Sequence, residues 1–105
     1  MIKDYCKATI QWNAKANNGY GTTYGSTTNV QDVYIEKNIK LNRGTDDTTK
    51  ADAMFVIYQN LSFAKGDKIT MDSLSYTITS IDKYFKPRST TFDHLEVYLS
   101  EVNNG

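Results

Sequence analysis

Residues Phe63 to Ile81 read FAKGDKITMDSLSYTITSI. No other stretch narrows the choice of fold so far. Lys65-Gly66-Asp67 has the composition of a tight turn. It opens a strand carrying Ile69 and Met71. A second turn follows near Asp72-Ser73, then a strand carrying Tyr76 and Ile78, which completes a β-hairpin. Past Ile78 the alternation slips. Tyr76 and Ile78 share one parity, while Ile81 and Phe85 share the other. A β-bulge near Thr79-Ser80 reconciles them.

The rest of the chain reads in the same way. Lys7 to Asn13 (KATIQWN) alternates, with Ala8, Ile10 and Trp12 on one face. Val30 to Leu41 places Val33, Ile35, Ile39 and Leu41 on one face, interrupted by Lys37. A helix is the rival reading, but β-branched residues and Asn38 oppose it. Ala51 to Gln59 (ADAMFVIYQ) is apolar through its centre, as expected of a central strand covered on both sides, with a short buried helix as the alternative. Phe92 to Val102 points Leu95, Val97 and Leu99 inward and His94, Glu96, Tyr98 and Ser100 outward. Lys86-Pro87-Arg88-Ser89 breaks the ladder before it, because proline has no N–H to donate. Eight tyrosines and a single proline agree with β structure. The expectation is an all-β chain, a small antiparallel barrel or sandwich of about six strands, forming one domain over residues 1–105.

Two polar stretches interrupt the pattern. Ala14 to Asn29 is rich in Gly, Asn and Thr, and it is expected to be a long loop with a turn at Asn18-Gly19. Its length suits either a plain surface connection or a contact element. Tyr20 and Tyr24 favour contact, since tyrosine is enriched in interfaces. Asn42 to Lys50 is expected to be a second polar loop.

The chain offers little for chemistry. Its only histidine is His94 and its only cysteine is Cys6, so an intramolecular disulfide is impossible. The expected roles are a surface histidine and a buried or half-buried thiol. Zinc needs a Cys/His cluster that one of each does not supply. Asp46-Asp47 lacks the ligand spacing of a calcium loop. Gly19, Gly21 and Gly25 lack the strand-to-helix context of a phosphate loop. No catalytic, cofactor-binding or metal residue is therefore assigned, and the chain is not expected to be an enzyme. A dyad of Cys6 and His94 is the one arrangement an enzyme would have to use.

Lysine plus arginine equals aspartate plus glutamate, twelve of each. Zero net charge argues against a dedicated nucleic-acid binder and permits self-association. One basic cluster, Lys83, Lys86 and Arg88, is interleaved with Tyr84, Phe85 and Phe92. It keeps open an alternative function as a small nucleic-acid-binding barrel. No stretch is apolar enough for a signal peptide or membrane helix, so folding in the cytoplasm with no membrane partner is expected.

The elements Phe63, Gly66-Asp67, Ile69, Tyr76 and Ile78, with the later HLEVYL from His94 to Leu99, resemble the minor capsid and head-completion (head-tail connector) proteins of tailed phages and prophages of Gram-positive bacteria. The resemblance runs from Val30 to Val102. The segment YGSTTNVQDVYIE also fits the style of that family. The chain departs from it at Ser73-Leu74-Ser75, where many connectors place a glycine. The resemblance implies a β-barrel structural protein of the virion, made in the host cytoplasm and working at the portal end of the capsid. The implied partners are portal or adaptor ring and tail proteins, further copies of the chain in a ring, and packaged DNA. With it, the contact residues expected are Tyr20, Tyr24, Lys86 and Arg88.

Overall fold

A computed structural model describes residues 6–17, 22–42 and 48–102. Six strands follow one another: β1 (Ala8–Asn17), β2 (Thr22–Asn42), β3 (Thr48–Ile57), β4 (Lys68–Met71), β5 (Leu74–Phe85) and β6 (Phe92–Glu101). Each pairs antiparallel with its neighbours in the order β1-β2-β3-β6-β5-β4, and β4 closes back on β1. The result is a closed all-β barrel, which removes the free sheet edges. β1, β3 and β5 run one way, so the connections that follow them emerge at the same end.

The alternating residues of each strand fill the interior. Val33, Ile57 and Leu95 form one cross-strand row, and Ile35, Phe55 and Val97 the next. With Ile10, Ile69, Met71, Tyr76, Ile78 and Leu99 they make the core. β3 is covered on both faces, as its apolar run requires. Ala53, Phe55 and Ile57 point inward, while Met54 and Val56 are buried on the outside with Tyr98, against Tyr34 and Tyr58. Tyr98 therefore faces outward, as alternation predicts, yet is buried by its neighbours.

The hairpin of β4 and β5 is as expected. Its turn residues Asp72 and Ser73 both have positive φ, 50° and 67°, the pattern of a type I′ turn whose twist suits a two-residue hairpin. The expected bulge is also present: Ile78 pairs with Leu99 and Ser80 with Tyr98, leaving Thr79 as the extra residue.

The long loop expected over Ala14 to Asn29 is corrected. β1 continues to Asn17 and β2 begins at Thr22, paired down to Asn17↔Thr22. Most of that stretch is thus a two-stranded ladder that needs no apolar face. Two bulges shape it, one near Gly25-Ser26 and one at Gln31-Asp32, where Asp32 has a φ of 62°. The Asn13 side-chain amide ties the ladder by donating to the Gly25 carbonyl and the Thr27 hydroxyl. The second expected loop also shortens, because β2 runs through Asn42 and β3 starts at Thr48. Tyr20, Asn18-Gly19 and Asp46-Asp47 lie outside the described residues.

Candidate functional site

The end of the barrel where β1, β3 and β5 finish carries most of the unusual side chains. After β3 the chain crosses this mouth, from the β2/β6 side to β4 on the opposite side. Phe63 plugs the crossing. Its ring lies 4.5 Å from Trp12 and 5.3 Å from Phe55. Asp67, only 2 % exposed, anchors the segment. Its carboxylate accepts from the Trp12 indole at 2.8 Å, the Ala64 amide at 2.9 Å and the Lys15 amide at 2.9 Å. Gly66 donates to the Ile78 carbonyl, and the Asp67 carbonyl accepts from Ile78. The Gly-Asp pair is therefore more than a turn. It joins β1, the crossing segment and β5.

Beside this plug, β5 and β6 run on toward their connection. Lys83 pairs with Leu95 and so continues the inward row of Val33, Ile57 and Leu95. Its ammonium lies 5.8 Å from the ring centres of both Phe85 and Phe92, a cation–π distance. Phe85 is 50 % exposed. A groove of about 400 Å³ separates this face from the crossing segment, lined by Leu61, Phe63, Ile81, Lys83 and Leu95 among others.

At the tip, Ser89 donates its amide to the Lys86 carbonyl, and Lys86 donates to the Thr91 carbonyl. Pro87 and Arg88 are the central residues of this turn. Arg88 has a φ of 55°, as position i+2 of a type II turn requires, although glycine is the usual residue there. Lys86 and Arg88 are both exposed.

The opposite face of the same hairpin differs in charge. Tyr84 pairs with His94 and stacks on it, with ring centres 4.7 Å apart. Tyr58 approaches the His94 ring at 5.4 Å. Both imidazole nitrogens face carboxylates, Nδ1 at 2.6 Å from Asp93 and Nε2 at 3.2 Å from Glu96. Tyr98 donates its hydroxyl to Glu96 at 2.8 Å. Burial, and then the hydrogen bond and charge of Glu96, hold the Tyr98 phenol well above its ordinary value. Tyr58 is also raised, first by burial and then by the charge of Asp93. Directly across the strands, Asp82 faces Glu96.

The expected site residues therefore separate. Lys86 and Arg88 share the β5–β6 tip. Tyr24, exposed at 44 %, lies in the β1–β2 ladder opposite Lys15. Cys6 is buried and forms no disulfide. It lines a cleft of about 370 Å³ with Asp32, Tyr58 and Gln59. Sequence reasoning read Asp67 as a turn residue without its buried hydrogen bonds, and it passed over the Tyr58–Tyr84–His94 group. Tyr84 lies on β5 and Tyr58 just past the end of β3, so only the folded sheet brings them to His94. Among the described residues no group of three His, Cys, Asp or Glu is arranged to hold a metal ion. No family model matches the chain, and no curated protein matches it.

Proposed function

We propose that this chain is a structural protein of a tailed-phage virion, acting in head closure or as a minor capsid component at the portal end. In this role it works through contacts with copies of itself and with ring and tail proteins. One observation carries the reading: a barrel whose interior is filled by side chains sends its connections after β1, β3 and β5 to one end. A rigid scaffold presenting hairpins at one end suits assembly, because the scaffold positions contact elements whose own sequence is free to vary. The sequence resemblance supplies the virion context.

The test is deletion of the gene from a phage that carries it. Electron micrographs are expected to show heads that fail to retain DNA or to join tails. DNA-filled heads joined to normal tails would overturn the proposal.

A further inference from the structure

The chain has zero net charge, but that charge is unevenly spread. The ten residues from Lys83 to Phe92 carry Lys83, Lys86 and Arg88 and no carboxylate. The facing segment, Gln59 to Lys65, has none either. Asp67, just beyond it, is buried and already accepts three N–H groups. On β6, Asp93 and Glu96 are engaged by the His94 imidazole. Among the described residues, no carboxylate forms a salt bridge with Lys83, Lys86 or Arg88. A local surplus of this kind acts at close range, within a Debye length of about 10 Å, whatever the total charge.

Aromatic rings stand inside this cationic stretch. Lys83 and Phe85 lie two apart on β5 and share its mouth-side face, with Phe92 directly across from Phe85. The Lys83 ammonium sits over both rings at 5.8 Å. Phe85 nevertheless remains 50 % exposed. The groove of about 400 Å³ beside it has Phe63, Ile81 and Leu95 as apolar lining and Asn60 and Ser62 as polar lining. That volume suits a small flat group, since ligand sites run from roughly 300 to 1,000 Å³. Beyond the rings, the exposed Lys86 and Arg88 occupy a turn closed by its own backbone hydrogen bonds.

We infer that the mouth-side face of the β5–β6 arm binds single-stranded nucleic acid. Phe85 is the stacking platform for a base, the groove takes the base or its neighbour, and Lys83, Lys86 and Arg88 meet the phosphates. Charge complementarity selects a polyanion. The half-exposed ring selects a single strand among polyanions, because a base stacks on a side chain only when its face is free, and a duplex hides its base faces. An acidic peptide would use the cations and leave the ring without a partner of its own shape. The surface lies beyond the protein contacts proposed above and does not depend on the virion role.

Fluorescence anisotropy of a labelled oligothymidylate of roughly 12 nucleotides, a length within the site sizes of such proteins, tests it on the purified full chain. Binding is expected at low salt and is expected to weaken with a log–log salt slope of about −2, for three phosphate contacts on a single strand. Lys83→Gln, Lys86→Gln and Arg88→Gln are each expected to reduce the slope by about 0.7. Phe85→Leu keeps an apolar side chain and removes the ring. It is expected to weaken binding about tenfold, the scale of one stacked base, while Phe85→Trp binds at least as tightly as wild type. Thermal melts establish that each variant keeps its barrel. The exposed tip variants at Lys86 and Arg88 carry the test if a change at Lys83 or Phe85 unfolds it.

Failure to bind at low salt overturns the inference. So does a duplex of the same length bound as tightly as the single strand, which would mean phosphate contact alone. Polyglutamate that displaces the oligonucleotide as well as unlabelled oligothymidylate does would assign the arm to acidic protein and also overturn it. Wild-type affinity and salt slope in all four variants that lose a cation or the ring would place the site elsewhere on the chain. None of these results bears on the gene-deletion test, so the two readings fail separately.

Discussion

The indole Nε1 of Trp12 donates to Asp67 Oδ2 at 2.8 Å, across 55 positions of sequence. That bond ties β1 to the segment that crosses the barrel mouth. The same carboxylate also accepts two backbone amides, those of Lys15 and Ala64. A buried carboxylate is tolerated here because three N–H groups replace its water.

Asp67→Ala leaves three donors without an acceptor. It is expected to destabilise the barrel by about 3 kcal/mol or more, at roughly 1–3 kcal/mol for each buried unsatisfied group. Trp12→Phe removes one donor and is expected to lose about 1–2 kcal/mol. Urea unfolding, followed by circular dichroism, measures both. Equal losses for the two variants would contradict the hub role of Asp67.

Gly66 has a φ of +96°, and a Cβ placed on it would lie 2.9 Å from Lys15 Cδ. The lysine side chain can move aside, whereas the backbone conformation cannot relax. Gly66→Ala is therefore expected to destabilise by about 1–2 kcal/mol, the cost of the left-handed region for an L-residue. Adding Lys15→Ala in the same chain is expected to recover only a minor part. Full recovery would show that the clash, not the dihedral, dominates.

Ser73 and Arg88 hold left-handed conformations, at φ 67° and 55°, in two different turns. Ser73→Gly is expected to stabilise by about 0.5–1 kcal/mol, because the relief of steric strain exceeds the extra backbone entropy of glycine. Arg88→Gly is expected to do the same. The comparison also separates stability from contact: a more stable Arg88→Gly protein that no longer supports particle assembly would place Arg88 in an interface. Thermal unfolding midpoints give the first readout and complementation of a gene deletion the second.

Tyr98 carries a pH dependence. Burial, reinforced by the hydrogen bond to Glu96, raises its pKa in the folded state. An unfolded tyrosine ionises near pH 10, by the ordinary value of about 10. Above that pH the unfolded chain binds fewer protons than the native one, so stability falls as pH rises. The contribution is complete below the unfolded pKa and is lost as pH climbs through the folded one. Urea midpoints measured from neutral to strongly alkaline pH are expected to decline less steeply in Tyr98→Phe. An unchanged slope would exclude Tyr98 as a source.

The β4–β5 hairpin was legible because its instructions are local. Turn residues at Gly66-Asp67 and Asp72-Ser73 bracket strands whose apolar residues alternate, and a parity slip marks the bulge at Thr79. The all-β character and the doubly covered β3 follow from the same kind of pattern. The β1–β2 ladder was not legible. Residues such as Thr22, Thr23, Gly25 and Thr27 have no apolar periodicity. Their strand structure comes from backbone pairing with β1 and from Asn13, which bonds Gly25 and Thr27.

Composition and alternation alone decided that this chain makes a small all-β fold, which residues enter its core, and where its tight turns fall. Those choices depend on neighbours a few positions apart. Barrel closure through β4 and β1 and the burial of Asp67 were decided only by tertiary structure. Each depends on register between strands distant in sequence. Asp67 reads in the sequence as a turn residue, and three N–H donors brought to it by the fold make its burial favourable. His94 likewise meets Tyr58 and Tyr84 only because β3, β6 and β5 lie side by side.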